Sequence, residues 1–328
     1  RDRFNFDITY YNALTENQII SLPIAISSGY EQQVVNGGKV RTRGVELIAQ
    51  MIPVRDQNFR WTTTFNFSSN KSIVEELPQN DGRLTLAFSR IYDSADQTVW
   101  FQVEEGGEIG DIYGTGYLKN ENGDFILTES GSYIADNTLR KIGNYNPDFM
   151  LGWNNDFQYK NWNLNFLFDW RQGGELVSRT RALATVGGQL AETENRPEGG
   201  IVPQGVVNIG TAENPEYIQN TTAVSAETYY RQFYDRNHEE NNTYDASFLK
   251  LRQFSLGYSF TTNRGFLGLD EGAEISVAFI GRNLFAISDI PHFDPEQYAI
   301  QGNTFVSGVE DMSYATTRSF GFKAGINF

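Results

Sequence analysis

The last eleven residues of the chain alternate strictly between apolar or aromatic side chains and small or polar ones. One face of such a strand carries Phe320, Phe322, Ala324, Ile326 and Phe328, and the other carries Ser319, Gly321, Lys323, Gly325 and Asn327. A strand with one apolar and one polar face separates an apolar medium from water. An open edge of this kind aggregates in water, so we predict that the sheet closes into a barrel.

The composition permits a membrane barrel and limits other kinds of chemistry. None of the 328 residues belongs to an apolar run of about 18, the length that a spanning helix needs. Barrel strands need only about 9–11 residues of alternating character. Aromatic residues make up 14% of the chain, and there are 31 glycines. Because cysteine is absent, we expect neither disulfides nor thiolate metal sites.

The net charge of −15 is concentrated in two segments. Residues 71–147 carry 13 acidic against 6 basic side chains, and residues 172–246 carry 11 against 5. So acidic a chain excludes nucleic acid as a partner. We interpret these segments as solvated loops. Calcium held by some of the carboxylates is the alternative, because Ca²⁺ takes six or more oxygen ligands. We expect no other metal or cofactor.

Eight segments alternate in the manner of barrel strands. They lie near residues 3–12, 43–53, 59–70, 149–159, 162–171, 248–260, 273–284 and 318–328. The pattern predicts an all-β, antiparallel transmembrane barrel, to which this chain contributes about eight strands.

The connections between these segments alternate in length. A two-residue turn, Lys160-Asn161, joins two strands, and the connections at 53–58 and 261–272 are also short. The other connections, at 13–43, 71–148, 172–247 and 285–317, have about 30 residues or more. A soluble β-sandwich, the alternative fold, seldom has loops of seventy residues. Short periplasmic turns and long extracellular loops are typical of bacterial outer-membrane barrels, so we predict a multi-pass protein of that membrane with extracellular loops.

The chain begins inside a strand pattern and shows no secretory signal. An outer-membrane protein needs such a signal during export. We therefore expect a fragment or one half of a nicked chain, with further sequence upstream of Arg1.

Five stretches resemble SusC/RagA-type TonB-linked outer-membrane transporters, and together they span almost the whole chain. They are Arg43-Gly44-Val45-Glu46-Leu47, Lys141-Ile142-Gly143-Asn144, Ala246-Ser247-Phe248-Leu249-Lys250-Leu251-Arg252, Gly281-Arg282-Asn283-Leu284-Phe285 with Phe293-Asp294-Pro295-Glu296, and Thr316-Thr317-Arg318-Ser319-Phe320.

This resemblance implies a 22-stranded barrel, with residues 1–328 as the carboxyl-terminal part that supplies the last eight strands. It also implies partners: the other barrel strands and a plug domain, the TonB complex, and a SusD-like surface lipoprotein that caps the barrel as a lid. Neither the plug nor a TonB-contacting segment is in this sequence. The function implied is import of a glycan or an oligopeptide across the outer membrane.

One loop segment is rich in aromatic residues. We predict that it contacts the ligand or the lid protein through Tyr229, Tyr230, Arg231, Phe233 and Tyr234. Spacings of three and four residues put several of these rings on one helical face. The alternative is that the rings pack the long loop onto itself.

Two further groups of residues belong to the strands. We predict that the polar faces line the lumen with Asn154, Asp156, Asn163, Asn165 and Asp169. We predict that amphipathic or apolar rings mark the membrane interfaces at Trp61, Trp153, Trp162, Trp170 and Phe328.

Two other functions compete with transport. The runner-up is a barrel that closes with these eight strands alone and serves adhesion or assembly. An enzyme is the third class, but the only two histidines, His238 and His292, lie in different loops without an activating serine pattern. Asp294-Pro295-Glu296 is typical of a turn rather than of a catalytic site. We therefore expect no catalytic residues.

Overall fold

A computed structural model describes residues 3–23, 29–30, 32–78, 83–90, 99–235, 238–262, 272–301, 304–314 and 316–327. In chain order the strands are β1 (Phe4–Pro23), β2 (Gln32–Arg55), β3 (Phe59–Glu76), β4 (Arg83–Arg90), β5 (Trp100–Glu104), β6 (Asp111–Tyr117), β7 (Ile126–Leu127), β8 (Ala135–Asn144), β9 (Phe149–Tyr159), β10 (Trp162–Gln172), β11 (Glu175–Ser178), β12 (Val206–Asn208), β13 (Tyr217–Gln219), β14 (Thr243–Asp245), β15 (Phe248–Thr261), β16 (Glu274–Ser288), β17 (Ala299–Gln301), β18 (Thr304–Val306), β19 (Val309–Glu310) and β20 (Ser319–Asn327).

Two α-helices, α1 (Arg179–Val186) and α2 (Ala226–Phe233), lie in one long connection. Short 3₁₀ helices occupy Ala191–Glu194 and Glu239–Asn242. Within the described ranges, no helix combines the length and the apolar character needed to cross a membrane.

Eight strands form one large antiparallel sheet, which we call the wall. Their order is β1-β2-β3-β9-β10-β15-β16-β20, so each wall strand lies beside the wall strands that precede and follow it in the chain. Each of the eight segments predicted from the sequence overlaps one of these strands. The mainly β, antiparallel architecture confirms the predicted fold class.

The two faces of the wall differ in chemistry. One face, the aromatic face, carries rings that stack across neighbouring strands: the ring centroids of Phe65 and Trp153 are 5.8 Å apart, and those of Trp153 and Phe168 are also 5.8 Å apart. Each cross-strand aromatic pair contributes roughly 0.2–1 kcal/mol. Toward one edge of the wall Phe322 is 89% exposed. A broad surface of exposed rings is suited to contact with lipid.

The wall is open. Among the described strands, β1 pairs only with β2 and β20 only with β16, so both outer edges lack a neighbour in the sheet. The two edge strands also differ in length, with 20 residues in β1 and 9 in β20. The eight strands of this structure therefore do not close into a barrel by themselves.

The prediction of a long loop at residues 13–43 is wrong. β1 and β2 remain paired far beyond the length that crosses a membrane, from Phe4 opposite Met51 to Pro23 opposite Gln32. Ile20 and Val35, which face each other in this extension, pack on a buried cluster of Val74, Leu77 and Val103. β-Branched residues that pack on such a cluster favour an extended strand. This packing outweighs the tendency of the nearby Gly37 and Gly38 to form a turn.

A β-bulge at Arg252 changes the direction in which side chains of β15 point. The ladders to both β10 and β16 skip this residue between Leu251 and Gln253. Leu251 lies opposite Phe168 of the aromatic face, and Phe254 lies opposite Phe166. The extra residue allows Leu251 and Phe254 to lie on the aromatic face together, while Lys250 and Arg252 lie on the polar face. In a regular strand, Leu251 and Phe254 would point to opposite faces.

The remaining long connections are not separate loops. We call their described residues 99–148, 173–247 and 289–314 the loop platform. Val99 and Ile112 from the first connection, Val177 from the second, and Ala299 and Val309 from the third form one buried cluster. Since burial of such side chains stabilises by roughly 1.5–3 kcal/mol each, the three connections hold one another in place.

We predict that Ile112→Ala loosens the platform without disturbing the wall. Ile112 is fully buried in the cluster shared by the three connections, and truncation of such a residue costs about 2–5 kcal/mol. Limited proteolysis of the intact protein should cut all three connections faster. The control is Val34→Ala, at an exposed position of the β1–β2 hairpin. Equal cleavage of the two variants would contradict a shared core.

Candidate functional site

The five residues predicted to line the lumen lie on the polar face of β9 and β10. Their side chains bond across the two strands: Asn165 Nδ2 donates to Asn154 Oδ1 at 3.1 Å, and Asn163 Nδ2 donates to Asp156 Oδ2 at 3.2 Å. These residues are partly exposed, apart from Asn163, which is exposed. The polar face thus presents a ladder of amides and carboxylates, and its contact with a transported ligand stays a prediction.

Asp169, the fifth of these residues, belongs to an ion-pair cluster at the loop end of the wall. Arg252 Nε and Nη2 donate to Asp169 Oδ2 at 2.9 and 2.6 Å. Arg252 also donates to both carboxylate oxygens of Glu296. Lys250 Nζ donates to Glu296 Oε2 at 2.6 Å and to Asp294. This cluster fastens the connection after β16 to the polar face of the wall.

The Lys250–Asp294 part of the cluster is largely buried, whereas Arg252, Asp169 and Glu296 are partly exposed. The Lys250 side chain is 4% exposed, and that of Asp294 is 11% exposed. Burial alone would raise the pKa of Asp294, but hydrogen bonds from Lys250 and Thr316 outweigh it and hold the pKa below its usual value. Burial likewise opposes ionisation of Glu296, and its bonds to Arg252 and Lys250 lower the pKa in spite of it. Both carboxylates are therefore ionised at neutral pH.

Asp294-Pro295-Glu296 forms the predicted turn, since Gln297 N donates to Asp294 O at 3.0 Å. The sequence did not reveal that this turn docks on the wall. Lys250 and Arg252 lie in one of the stretches that resemble the transporter family, and the sequence pattern predicted no contact for them. The available signal was two basic residues two positions apart in an otherwise uncharged strand, together with an acidic pair in a later connection.

The predicted contact segment, Tyr229–Tyr234, includes most of α2, and its rings face the platform. Tyr230 is 9% exposed, and its hydroxyl donates to Glu192 O at 2.7 Å. The Phe233 ring lies 5.3 Å from the Tyr133 ring, and the Tyr234 ring lies 5.0 Å from the Arg181 guanidinium. These contacts are the packing that the sequence offered as the alternative.

Arg231 differs from the rings beside it, because its side chain is 62% exposed. It borders a cavity of about 320 Å³ between α1 and α2, which we call the α1–α2 pocket. The residues around this pocket are Thr185, Val186, Gly187, Gly188, Thr193, Arg196, Ala226, Glu227, Tyr230 and Arg231. Among the residues of the predicted segment, Arg231 is the one most accessible to a ligand, and its contact with a ligand stays a prediction.

The tryptophans predicted at the membrane interfaces fall into two groups. Trp162 and Trp170 are exposed near opposite ends of β10. The indole of Trp153 donates to Thr63 Oγ1 at 2.9 Å, and that of Trp61 donates to Asn155 Oδ1 at 3.0 Å. These two donors are thus satisfied within the sheet and need no headgroup or water. Phe328, the last predicted interface residue, lies outside the described residues.

The histidines lie in different parts of the platform. Thr115 Oγ1 is 3.1 Å from His238 Nδ1, and burial lowers the pKa of His238. His292 Nε2 is 3.4 Å from Glu192 Oε2. The part of the chain that the structure describes contains no group of three or more His, Asp or Glu side chains placed to hold a metal ion. Calcium binding stays a prediction.

We predict that acid releases the connection after β16 from the wall. A carboxylate with a lowered pKa contributes stability above its unfolded pKa of about 4, and this is lost as the pH falls through the lower folded value. Hydrogen exchange over residues 290–301, corrected for intrinsic rates, should therefore show protection at pH 7 that disappears near pH 3.

Variants identify the groups responsible. Glu296→Gln should weaken protection at pH 7 and flatten its pH dependence, whereas Glu121→Gln, at an exposed platform position, should behave as the parent does. Equal protection at pH 7 and pH 3 in the parent would contradict the assignment.

Comparison with known proteins places this geometry in context. No protein-family model matches the chain. TonB-dependent receptor P3 of Formosa agariphila is 26% identical over 354 residues, which cover 100% of this chain and 32% of the relative. TonB-dependent receptor P39 of the same organism is 25% identical, with coverage of 95% and 33%. The chain thus spans about a third of the length of these curated relatives.

Solved structures agree in fold. The RagAB peptide transporter matches with a TM-score of 0.65 and 17% identity, over 99% of this chain and 33% of that chain. The closed-closed state of the RagAB peptide importer matches with a TM-score of 0.66 and 18% identity, again over 99% and 33%. The resemblance seen in the sequence motifs is confirmed: this chain is similar to TonB-dependent receptors over its whole length and has the fold of one part of a SusC/RagA-type transporter barrel.

Proposed function

We propose that this chain forms part of the barrel of a TonB-dependent outer-membrane importer for an oligopeptide or a glycan. The observation that carries the proposal is the open wall with one aromatic and one polar face. Exposed rings on one face suit lipid, and amides and carboxylates on the other suit a hydrated lumen. A closed eight-stranded barrel with an adhesive role is not favoured, because β1 and β20 do not pair.

The unpaired edges support the need for further strands. In a membrane each unpaired backbone group costs several kcal/mol, so β1 and β20 require neighbours. The relatives are about three times as long as this chain, which leaves sufficient length for the other strands and for a plug. Coupling to TonB follows from the resemblance to these receptors.

The structure of the loop platform is suited to binding the ligand or the lid lipoprotein. Its connections pack on one another through a shared core. They are attached to the wall through the ion pairs of Arg252 and Lys250 with Asp169, Asp294 and Glu296. A platform held in this way keeps a fixed shape above the lumen, as recognition of a large ligand requires. One structural neighbour is a peptide transporter, and this supports an oligopeptide as one of the two candidate substrates.

One hairpin of the platform is suited to contact a SusD-like lid lipoprotein. β12 and β13 form a hairpin, and every residue from 209 to 219 is exposed. Ile209, Tyr217 and Ile218 expose apolar groups, and β13 is the outer strand of its sheet. The chain has no Lys or Arg between Pro197 and Tyr230. An apolar, acidic edge strand fits a protein partner with a complementary basic surface.

Uptake measurements test the proposed function. Cells that express the intact protein should accumulate labelled oligopeptides or glycans only when TonB is present. Deletion of the protein should abolish this uptake, and the restored gene should recover it. Uptake that continues without TonB, or the absence of uptake for both classes of ligand, would contradict the proposal.

Copurification tests the lid contact separately. Ile218→Asp places a charge in the exposed apolar patch of the hairpin, so we expect the surface lipoprotein to copurify at least tenfold less. The matched control, Thr221→Asp, changes an exposed position just beyond β13 and should retain the lipoprotein. Equal recovery with both variants would show that the lid binds elsewhere.

A further inference from the structure

The α1–α2 pocket has the size and composition of a ligand subsite. Its volume of about 320 Å³ lies at the lower end of the range of about 300–1,000 Å³ for small-molecule sites. One side is the end of α1 with the turn that follows it, and the other side is the first part of α2. The pocket therefore lies between two elements that the platform holds in place.

Arg196 is oriented in this pocket but has no acidic partner. Its Nε donates to Thr193 O at 2.7 Å and its Nη2 donates to Gly188 O at 3.3 Å. Both acceptors are neutral carbonyls, and no ion pair joins Arg196 to a carboxylate of the described residues. Arg196 is exposed, so its guanidinium is held in a defined orientation while its charge stays accessible to an incoming anion.

Gly188 makes the close approach of Arg196 possible. Its φ of +66° lies in the left-handed region, and a Cβ built there would lie 2.8 Å from Arg196 Nη2. A larger residue would displace the guanidinium from the carbonyl that orients it. The turn after α1 is therefore shaped to present Arg196.

Arg231 supplies a second cation on the opposite side. Its Nε lies 3.4 Å from Glu227 Oε1, and both side chains are more than half exposed. Such an exposed pair contributes at most about 1 kcal/mol, so Arg231 can turn toward a ligand at little cost. The pocket thus has two guanidinium groups and one carboxylate, although the connection that contains it is strongly acidic.

Tyr230 and Thr185 are polar members of the remaining lining. The Tyr230 hydroxyl donates to Glu192 O at 2.7 Å and approaches Asn195 O at 3.3 Å, which fixes the ring. Thr185 is fully buried, and its hydroxyl has no hydrogen-bond partner within the described ranges. A buried hydroxyl without a partner is rare, and a bound water or a polar group of a ligand on this side of the pocket would satisfy it.

We propose that the α1–α2 pocket binds a carboxylate of the imported ligand, with Arg196 as the fixed partner and Arg231 as the second. This inference rests on the proposed import function. The carboxylate can be the terminus or an acidic side chain of an oligopeptide, or the acid group of a uronic sugar. Planar guanidinium groups recognise such anions through paired hydrogen bonds.

Calorimetric titration of the intact, purified protein tests the assignment. The probes are a hexapeptide of neutral side chains with a free carboxyl terminus, the same peptide as the amide, an oligouronate, and a neutral oligosaccharide of equal length. At least one acidic probe should bind ten times more tightly than its neutral counterpart. Preference for the peptide acid identifies a peptide ligand, and preference for the uronate identifies a glycan.

Variants connect that preference to the pocket. Arg196→Gln should remove the tenfold preference by weakening binding of the acidic probe, and Gly188→Ala should reduce the preference by displacing the guanidinium. The matched control is Arg55→Gln, an exposed arginine beside the short turn between β2 and β3. An acid preference that survives Arg196→Gln, or no preference in the parent, overturns the pocket assignment. TonB-dependent uptake in the same protein would leave the proposed function standing.

Discussion

The backbone of a membrane-spanning strand must be hydrogen-bonded on both sides, and the architecture of this chain depends on that requirement. The wall satisfies it internally through seven antiparallel ladders, whereas β1 and β20 each keep one open edge. The side chains on the lipid-suited face meet the same requirement. Rings occupy this face, and the indole N–H groups of Trp61 and Trp153 donate hydrogen bonds within the sheet. The polar atoms on the other face remain available to a lumen. A wall of this kind is one part of a larger closed barrel.

The loop platform is a folded unit attached to one end of the wall. Three long connections share a buried core around Ile112 and Val177, so they act as one folded unit. The bulge at Arg252 directs basic groups to the polar face, where Asp169 and Glu296 bind them. Lys250, just before the bulge, adds ion pairs to Asp294 and Glu296 of the connection after β16. The strands and the platform are thus coupled through a partly buried ion-pair cluster at their junction.

Much of the wall could be predicted from the sequence, because alternation along a strand directly reflects which medium each face contacts. The polar positions Asn154 and Asn165 and the exposed rings followed from it. The platform could not be predicted in this way, since its core joins residues more than a hundred positions apart and no local period records such contacts. The bulge was not predicted, although the outward apolar positions change from odd numbers, at Leu251, to even numbers, at Phe254. The length of the β1–β2 hairpin was missed because Gly37 and Gly38 indicate a turn, whereas packing on Val74 decides the structure.

Site-directed spin labelling of the intact protein in bilayers tests the two-faced wall most directly. These 328 residues have no cysteine, so Phe322→Cys and Lys323→Cys each add one label to them, on adjacent residues of β20; any cysteine elsewhere in the protein is first replaced by serine. We predict that the label at position 322 collides mainly with oxygen dissolved in lipid. The label at position 323 should be shielded from lipid and should show less oxygen contact. The two-faced wall would be contradicted if both labels were equally accessible to a water-soluble nickel reagent and the label at position 322 showed no excess of oxygen contact.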